Sequence, residues 1–271
     1  QGMMNNSRDF QENNITYIPW VEIKQKAGDK ILLSLSKHAS CVILDDYPTY
    51  TPNKILRAAP KILKLRVDAV DSNGILPMMW AEKEFTTAYS FRKYMQKSLV
   101  DALQTIPAMN SMDGVGDNLS LTSDDLEFLR EETGLEATPL EWLWRVAEGG
   151  IVGDRAMADF PIDHSVPAVK ETIGGIDEAR MRLQKFLNYK LNKYSIDRNN
   201  PDTPAVSGLS PWLHFGHISS FEIIEKVFAK ENWSVDSLNH EDTGKGTRSG
   251  WWGTSESASS FLDQIITWRE L

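Results

Sequence analysis

Residues 207–216 read Ser-Gly-Leu-Ser-Pro-Trp-Leu-His-Phe-Gly. Two hydroxyls, Ser207 and Ser210, flank Gly208 and Leu209, and Pro211 follows. Ser before Pro is a helix-start signal. The hydroxyl can cap free amides, and proline fits the first turn, where its missing N–H is not needed. Free amides at a helix start, with hydroxyls beside them, attract anions. Gly208 lets a ligand approach the main chain. Such a stretch could hold a phosphate. The other reading is a capped core helix that holds nothing. The crowd of Trp212, Leu213, His214 and Phe215 suits both, as the wall of a flat ligand's site or as ordinary packing. Among those apolar neighbours His214 reads as a core histidine.

The elements that must position this stretch fall into two textures. At the N-terminal end ITYIPWVEIK (15–24) alternates like a short strand, with Pro19 counting against it. Residues 28–38 suit a helix. CVILDD (41–46) reads as a buried strand, because an apolar run without alternation is what a parallel strand covered on both faces requires. DDYPTYTPN reads as a loop with two prolines, residues 55–64 as a helix, and LRVDAV (65–70) as a second strand. Strand, loop, helix, strand suggests a parallel α/β unit, here a fraction of a doubly wound sheet. After Pro77 the spacing turns helical, in FTTAYSFRKYMQKSLVDAL (85–103), TSDDLEFLREETG (122–134), TPLEWLWRVAEGG (138–150) and IDEARMRLQKFLNYKLNKY (176–194). Residues 107–123, rich in Asn, Ser, Gly and Asp, read as a linker. The expected class is α/β plus all-α: a partial parallel α/β region over 1–80, a helix and linker over 81–122, and a helical domain over 123–271. No strand candidate of similar quality lies beyond residue 80.

The 271 residues are 41% hydrophobic, enough for a real core. The net charge of −9 argues against a general nucleic-acid binder. The charge is uneven, though. Acids crowd 117–141 around Arg130 alone, and bases crowd 180–198 around Asp197 alone, so a basic face is possible on an acidic protein. Two ordinary solvated faces would look the same. Cys41 is the single cysteine, which excludes an internal disulfide and suggests a reducing, cytoplasmic setting. No run suggests a membrane span or a secretory leader. Gln1-Gly2, ahead of Met3-Met4, reads as an appended lead. No metal site is expected, and Trp142, Trp144, Trp251 and Trp252 read as packing residues.

YSIDRNNPDTPAVSGLSPWLHFGHIS, as a unit, resembles the flavin-binding segment of the DNA photolyase and cryptochrome family. Its parts are Tyr194, Arg198-Asn199-Asn200-Pro201, residues 207–211 and Trp212-Leu213-His214-Phe215-Gly216. FLDQIITWREL resembles the family's next signature helix, ending in Trp-Arg-Glu, and VDAVDSNGILP resembles the end of the antenna-type, Rossmann-like domain in class II cyclobutane-dimer photolyases. The resemblance is strong over 194–271 and weak over most of the rest. It implies a helical domain binding flavin adenine dinucleotide (FAD), and UV-damaged DNA as partner. The reaction implied is light-driven electron transfer from reduced flavin that splits the dimer, with an antenna chromophore of unknown identity. By resemblance, Tyr194, Ser207, Gly208, Leu209, Ser210, Phe261 and Arg269 hold the flavin, while Arg198, Gln264 and Trp268 meet the DNA. No side chain is assigned a catalytic role. Phe261, Gln264, Trp268 and Arg269 fall at i, i+3, i+7 and i+8, one face of an α-helix.

The resemblance has two departures. Gln264 stands where class II enzymes usually carry Glu, and Trp268 where they carry a basic residue. The stretch also stops inside the Trp-Arg-Glu helix, so this chain alone is expected to bind flavin weakly and repair little. A cryptochrome-like photoreceptor without repair activity, or a helical module lacking flavin, are the alternatives.

Overall fold

In the computed structural model of the chain, the described residues are 1–22, 26, 28, 31–106, 120–148, 153, 155, 157, 158, 160–167, 169 and 171–271. Most of the expected linker, 107–119, lies outside them. In chain order the elements are α1 (Gly2–Glu12), α2 (Ile31–Ser36), β1 (Cys41–Asp45), α3 (Tyr50–Ile62), β2 (Arg66–Val70), α4 (Ala88–Leu103), α5 (Ser123–Thr133) and α6 (Leu140–Glu148). Then follow α7 (Ile176–Tyr189), α8 (Tyr194–Asp197), α9 (Ser210–His214), α10 (Ser220–Glu231) and α11 (Glu256–Leu262), which runs into a π-helical segment, Asp263–Trp268. Helix dominates, with one small parallel sheet.

The chain forms two compact units, each drawn from two stretches: Gln1–Val70 with Met112–Ile176, and Asp71–Ser111 with Asp177–Leu271. These limits differ from sequence boundaries at 80 and 122. The helices over 123–148 belong with the sheet's unit, and α4 belongs with the C-terminal helices. Texture along the chain marks element type, whereas a unit is defined by which apolar faces meet.

In the first unit β1 and β2 pair in parallel, with Cys41 opposite Arg66 and Asp45 opposite Val70. Helix α3 packs on both strands. The expectation of a strand buried on both faces is corrected here. Val42 and Leu44 are half-buried, while Cys41, Ile43 and Asp45 are exposed, Ile43 by 63%. Successive side chains of a strand point to opposite faces, and α3 lies against one of them. The helix expected at 55–64 begins earlier, at Tyr50, and takes up part of the expected loop.

The alternating stretch at 15–22 is not a strand beyond an isolated bridge at Ile15. Side-chain and loop bonds hold it instead. The Thr138 N–H donates to the Pro19 carbonyl at 2.7 Å, Val21 N–H to Thr138 Oγ1 at 2.9 Å, and Leu121 N–H to Thr16 Oγ1 at 2.6 Å. Proline can accept but not donate, so a strand ladder would fail at Pro19. Gln1 bonds within this unit: its side chain donates to the Ala147 carbonyl at 3.0 Å and accepts from Gly174 N–H. Helix α5 has the expected ends. Thr122 and Asp125 form a reciprocal capping box, and Gly134 closes the helix in the left-handed conformation at φ 66°.

The second unit is a helical core. Helix α4 contributes Phe91, Met95, Leu99 and Ala102, one stripe at helical spacing. Against it in the same cluster lie Ala179, Leu183 and Phe186 of α7, Ile223, Ile224 and Val227 of α10, and Ala258, Phe261, Leu262, Ile265 and Ile266 of the last helix. Each of the larger side chains among these contributes roughly 1.5–3 kcal/mol on burial. Thr87, Ser219 and Ser255 cap α4, α10 and α11 by accepting from the amide three residues on. The described residues of 177–271 contain no strand. Trp251 and Trp252 are fully packed. The Trp233 indole N–H donates to the Trp252 carbonyl at 2.6 Å, and Phe228 stacks on Trp233 at 3.9 Å.

Candidate functional site

Helix α8 is a single turn that carries Tyr194 and leads into Arg198. A short helix needs tertiary support, and two serines supply it. Ser195 N–H donates to Ser257 Oγ at 3.1 Å, the two hydroxyls lie 2.9 Å apart, and Ser257 Oγ donates to the Asn192 carbonyl at 3.1 Å. This fixes α8 against α11. Tyr194, Phe186 and Phe261 then form an aromatic triangle with centroid separations of 5.8, 5.3 and 4.6 Å. The Arg198 guanidinium stands 5.8 Å from the Tyr194 ring centre. Burial raises the Tyr194 hydroxyl above the usual phenol range, and a hydrogen bond with Arg198 opposes the rise.

The loop after α8 folds back on it. Asn200 organises the turn, accepting from Asp202 N–H at 3.0 Å and donating to Thr203 Oγ1 at 2.9 Å. Ala205 N–H donates to the Asp197 carbonyl at 3.2 Å, and Lys190 Nζ to the Pro204 carbonyl at 3.3 Å. Ala205 therefore lies against the end of α8, two residues before Ser207. Gly208 takes the left-handed conformation, φ 67°, and nothing lies within 4 Å of where a side chain would start. Space above this backbone is open.

Helix α9 begins where expected, but its cap is corrected. Ser210 is already the first helical residue, Leu209 precedes it, and no side chain caps the turn. Ser207 Oγ instead accepts from Leu209 N–H at 3.4 Å, the nearest amide it can reach. Leu209 is buried in the core, so only its main chain is available to a ligand; Ser210 is exposed and Ser207 half-buried. His214 is exposed rather than a core residue, and Phe215 beside it is 70% exposed. The helix lasts five residues and Gly216 turns the chain at φ 68°, which leaves 214–216 on the rim. Trp212 points inward, with the Arg182 guanidinium 4.4 Å over its ring.

The last segment departs from α-helical geometry over Asp263–Trp268. A π-turn bonds i to i+5 and shifts every later side chain around the axis. The four residues expected on one face differ in burial along the segment: Phe261 is in the core, Gln264 half-buried, and Trp268 and Arg269 exposed.

Four residues that sequence reasoning missed hold this segment and the loop over 246–247. Asp263, 2% exposed, accepts from Arg92 Nε at 2.9 Å and Nη2 at 3.4 Å. Gln96 accepts from Gly246 N–H at 2.8 Å and donates to the Thr247 carbonyl at 3.0 Å, while Arg92 Nη1 donates to the Gly246 carbonyl at 3.2 Å. Glu270 accepts from Ile75 N–H at 2.7 Å and Leu76 N–H at 3.1 Å. Burial pushes its carboxyl up to about 7. Gly74 leaves no room for a Cβ beside that carboxylate. The available signal was a polar residue at apolar spacing: Arg92 and Gln96 beside Phe91, Met95 and Leu99, and Asp263 between Leu262 and Ile265.

No family model matches the chain. It does resemble curated proteins. A deoxyribodipyrimidine photo-lyase of Arabidopsis thaliana is 26% identical over 265 residues, 94% of this chain and 44% of that protein. One from Potorous tridactylus is 30% identical over 108 residues, 40% of this chain and 18% of its own. One from Oryza sativa subsp. japonica is 58% identical over 36 residues. All three are deoxyribodipyrimidine photo-lyases, and one of the matches runs over most of this chain. The chain spans less than half the length of these relatives. Among the described residues no group of three or more His, Cys, Asp or Glu could hold a metal ion, and no helix is long and apolar enough to cross a membrane.

Proposed function

We propose that this chain is part of a light-dependent DNA repair enzyme of the class II cyclobutane-dimer type, which takes FAD as cofactor and UV-damaged DNA as substrate. The observation that carries the reading is the loop over 199–209, bonded back onto α8, with open space above Gly208 and hydroxyls on either side. Its chemistry fits a diphosphate. Main-chain amides and the Ser207 and Ser210 hydroxyls can donate to phosphate oxygens, and the absence of a side chain at 208 permits close approach. Tyr194 and Leu209, the latter through its main chain, would flank that group. Phe261 would support Tyr194 from behind, and Arg269, exposed at the end of the last segment, would meet the cofactor or its surroundings. FAD, when bound, supplies the photoexcited electron that splits the dimer.

The chain's own contribution is position and polarity. Arg198 and Trp268 would contact the DNA, the first as a phosphate partner and the second as a flat surface for an unstacked base. A lesion must leave the stack to reach a buried cofactor. Gln264 can both donate to and accept from a pyrimidine, but it cannot carry the charge of a carboxylate. The sheet and α3 would be part of a Rossmann-like antenna region. Two measurements test the reading. Titration of the purified chain with FAD should quench flavin fluorescence, if weakly, and Ser207→Ala with Ser210→Ala, which removes both hydroxyls without straining the left-handed Gly208, should weaken this. Dimers in UV-irradiated oligothymidylate should be lost only under blue light with reduced flavin. Absence of any flavin binding, even weak, would refute the proposed flavin site; dimer loss is to be read in the chain extended to the length of its relatives, where binding without dimer loss under blue light would favour a photoreceptor.

A further inference from the structure

Several of the bases over 180–198 are committed within the molecule. Arg180 pairs with Glu222 through Nε at 2.7 Å and Nη2 at 3.1 Å. Arg182 pairs with Glu178 at 2.7 Å and lies over Trp212, and Lys190 donates to the Pro204 carbonyl. Two cations that face solvent stand across from them on α10, at Lys226 and Lys230.

Between α7 and α10 lies a groove of about 670 Å³. Helix α7 lines it with one face, in which Arg180, Leu183, Leu187 and Asn188 follow at helical spacing. Helix α10 lines it from Glu222 through Lys226 to Lys230, one residue per turn. The Arg180–Glu222 pair joins the two helices near their N-terminal ends, so both run in the same direction away from it. Over eight residues each wall is about 12 Å long, or two turns. Leu183 is buried and Leu187 half-buried, and they make an apolar floor, while Gln184, Asn188 and Lys230 are exposed on the rims. A groove this open encloses a drug-sized ligand poorly, since such sites cover roughly 70–90% of the ligand's surface. It suits an elongated partner.

We propose that the α7–α10 groove docks an acidic amphipathic helix of a partner protein, about two turns long, with apolar residues on one face and carboxylates beside them. Leu183 and Leu187 stand at i and i+4, and they offer the floor that a helix's own i and i+4 apolar residues cover. Lys226 and Lys230 stand at the same spacing, so two carboxylates one turn apart meet both of them. The charges of the lining agree with this. Its one acid, Glu222, has a side chain only 10% exposed and is held by Arg180, so it does not oppose an anionic partner. Lys226 also meets Glu225 at 3.7 Å, but an ion pair that exposed is weak. Lys230 forms no ion pair among the described residues. Gln184 and Asn188 can donate or accept along the opposite rim. A nucleic acid would use the lysines and leave the leucines uncovered. None of these side chains takes part in the flavin or DNA contacts proposed above.

The test is fluorescence anisotropy of the whole chain with a labelled, end-capped helical peptide of about 14 residues, the length at which an isolated helix begins to hold. The peptide carries leucines on one face and glutamates beside them. It should bind about tenfold or more tightly than the same peptide with lysines for glutamates, and than a scrambled peptide of equal composition whose leucines share no face. Lys226→Glu with Lys230→Glu should weaken the glutamate peptide by about tenfold and strengthen the lysine peptide. Lys226→Gln with Lys230→Gln should give the weakening without the reversal, and it carries the test if circular dichroism shows the first variant unfolded. No binding, equal binding of the ordered and scrambled peptides, or binding that neither variant alters overturns the site. Three further outcomes also overturn it. Oligothymidylate that binds in place of the peptide and is lost in the same variants would make this a nucleic-acid surface. A dimer that the variants dissociate in sedimentation would give the groove to a second copy. Loss of peptide binding in the chain extended to the length of its relatives would show that the extension fills it.

Discussion

The two units use apolar residues in opposite ways. In the first, among the described residues, the buried hydrophobic side chains are Ala59, Leu63, Leu135 and Leu143, while Ile43, Val70, Tyr50 and Ile62 are half or more exposed. In the second, side chains from α4, α7, α10 and the last helix share one continuous core, and the core also encloses an ion pair and a glutamine. A hydrophobic run does not secure burial; a matching face does. Where faces match densely, polar groups can be enclosed, and their bonds then dictate geometry.

Substitutions in each unit can break that contrast. The largest effect is expected from Asp263→Asn, which leaves Arg92 buried without its counter-charge. Loss of about 3–5 kcal/mol is expected in urea unfolding of the second unit. Leu99→Ala, at a fully buried position, should cost about 2–5 kcal/mol by the same measurement. A cost below about 1 kcal/mol for either would mean that this core is no tighter than the first unit's.

Glu270 sharpens the contrast through pH. Its carboxyl titrates near 7 in the folded chain against 4.5 ordinarily, so the folded state holds the proton more tightly. Its contribution is full below pH 4.5 and is lost as pH rises through about 7. The loss is about 2 kcal/mol once the group's partial exposure is allowed for. Glu270→Gln should flatten stability across that window. Gly74→Ala should act similarly by displacing the carboxylate from Ile75 and Leu76, and an unchanged pH profile in both variants would remove Glu270 as the cause.

Smaller effects belong to the first unit. Thr122→Ala removes the α5 capping box and should lower that unit's melting temperature by less than any core change above. Ile43→Ser, on the open face of β1, should change stability by no more than about 0.5 kcal/mol. A much larger loss would show that this face is covered in solution.

The sequence by itself determined the local elements wherever a physical rule acts over a few residues. The capping box and Gly134 ended α5, the stripe of Phe91, Met95, Leu99 and Ala102 made α4 amphipathic, and the runs at 41–46 and 65–70 paired as parallel strands. It also placed the loop over 207–210 next to a helix start, and it carried the motif in which the resemblance to photolyases lies. Other features required the tertiary structure. The face of β1 left open, the exposed rim position of His214, and the assignment of α4 to the C-terminal unit depend on which surfaces meet. The π-segment that runs from Asp263 to Trp268 was hidden for a related reason. Its residues have ordinary helical character, and the Arg92–Asp263 and Glu270 bonds that hold it join groups 171, 195 and 194 positions apart. Periodicity records the neighbours a residue has along the chain, whereas a buried charge is placed by a partner that only the fold brings near.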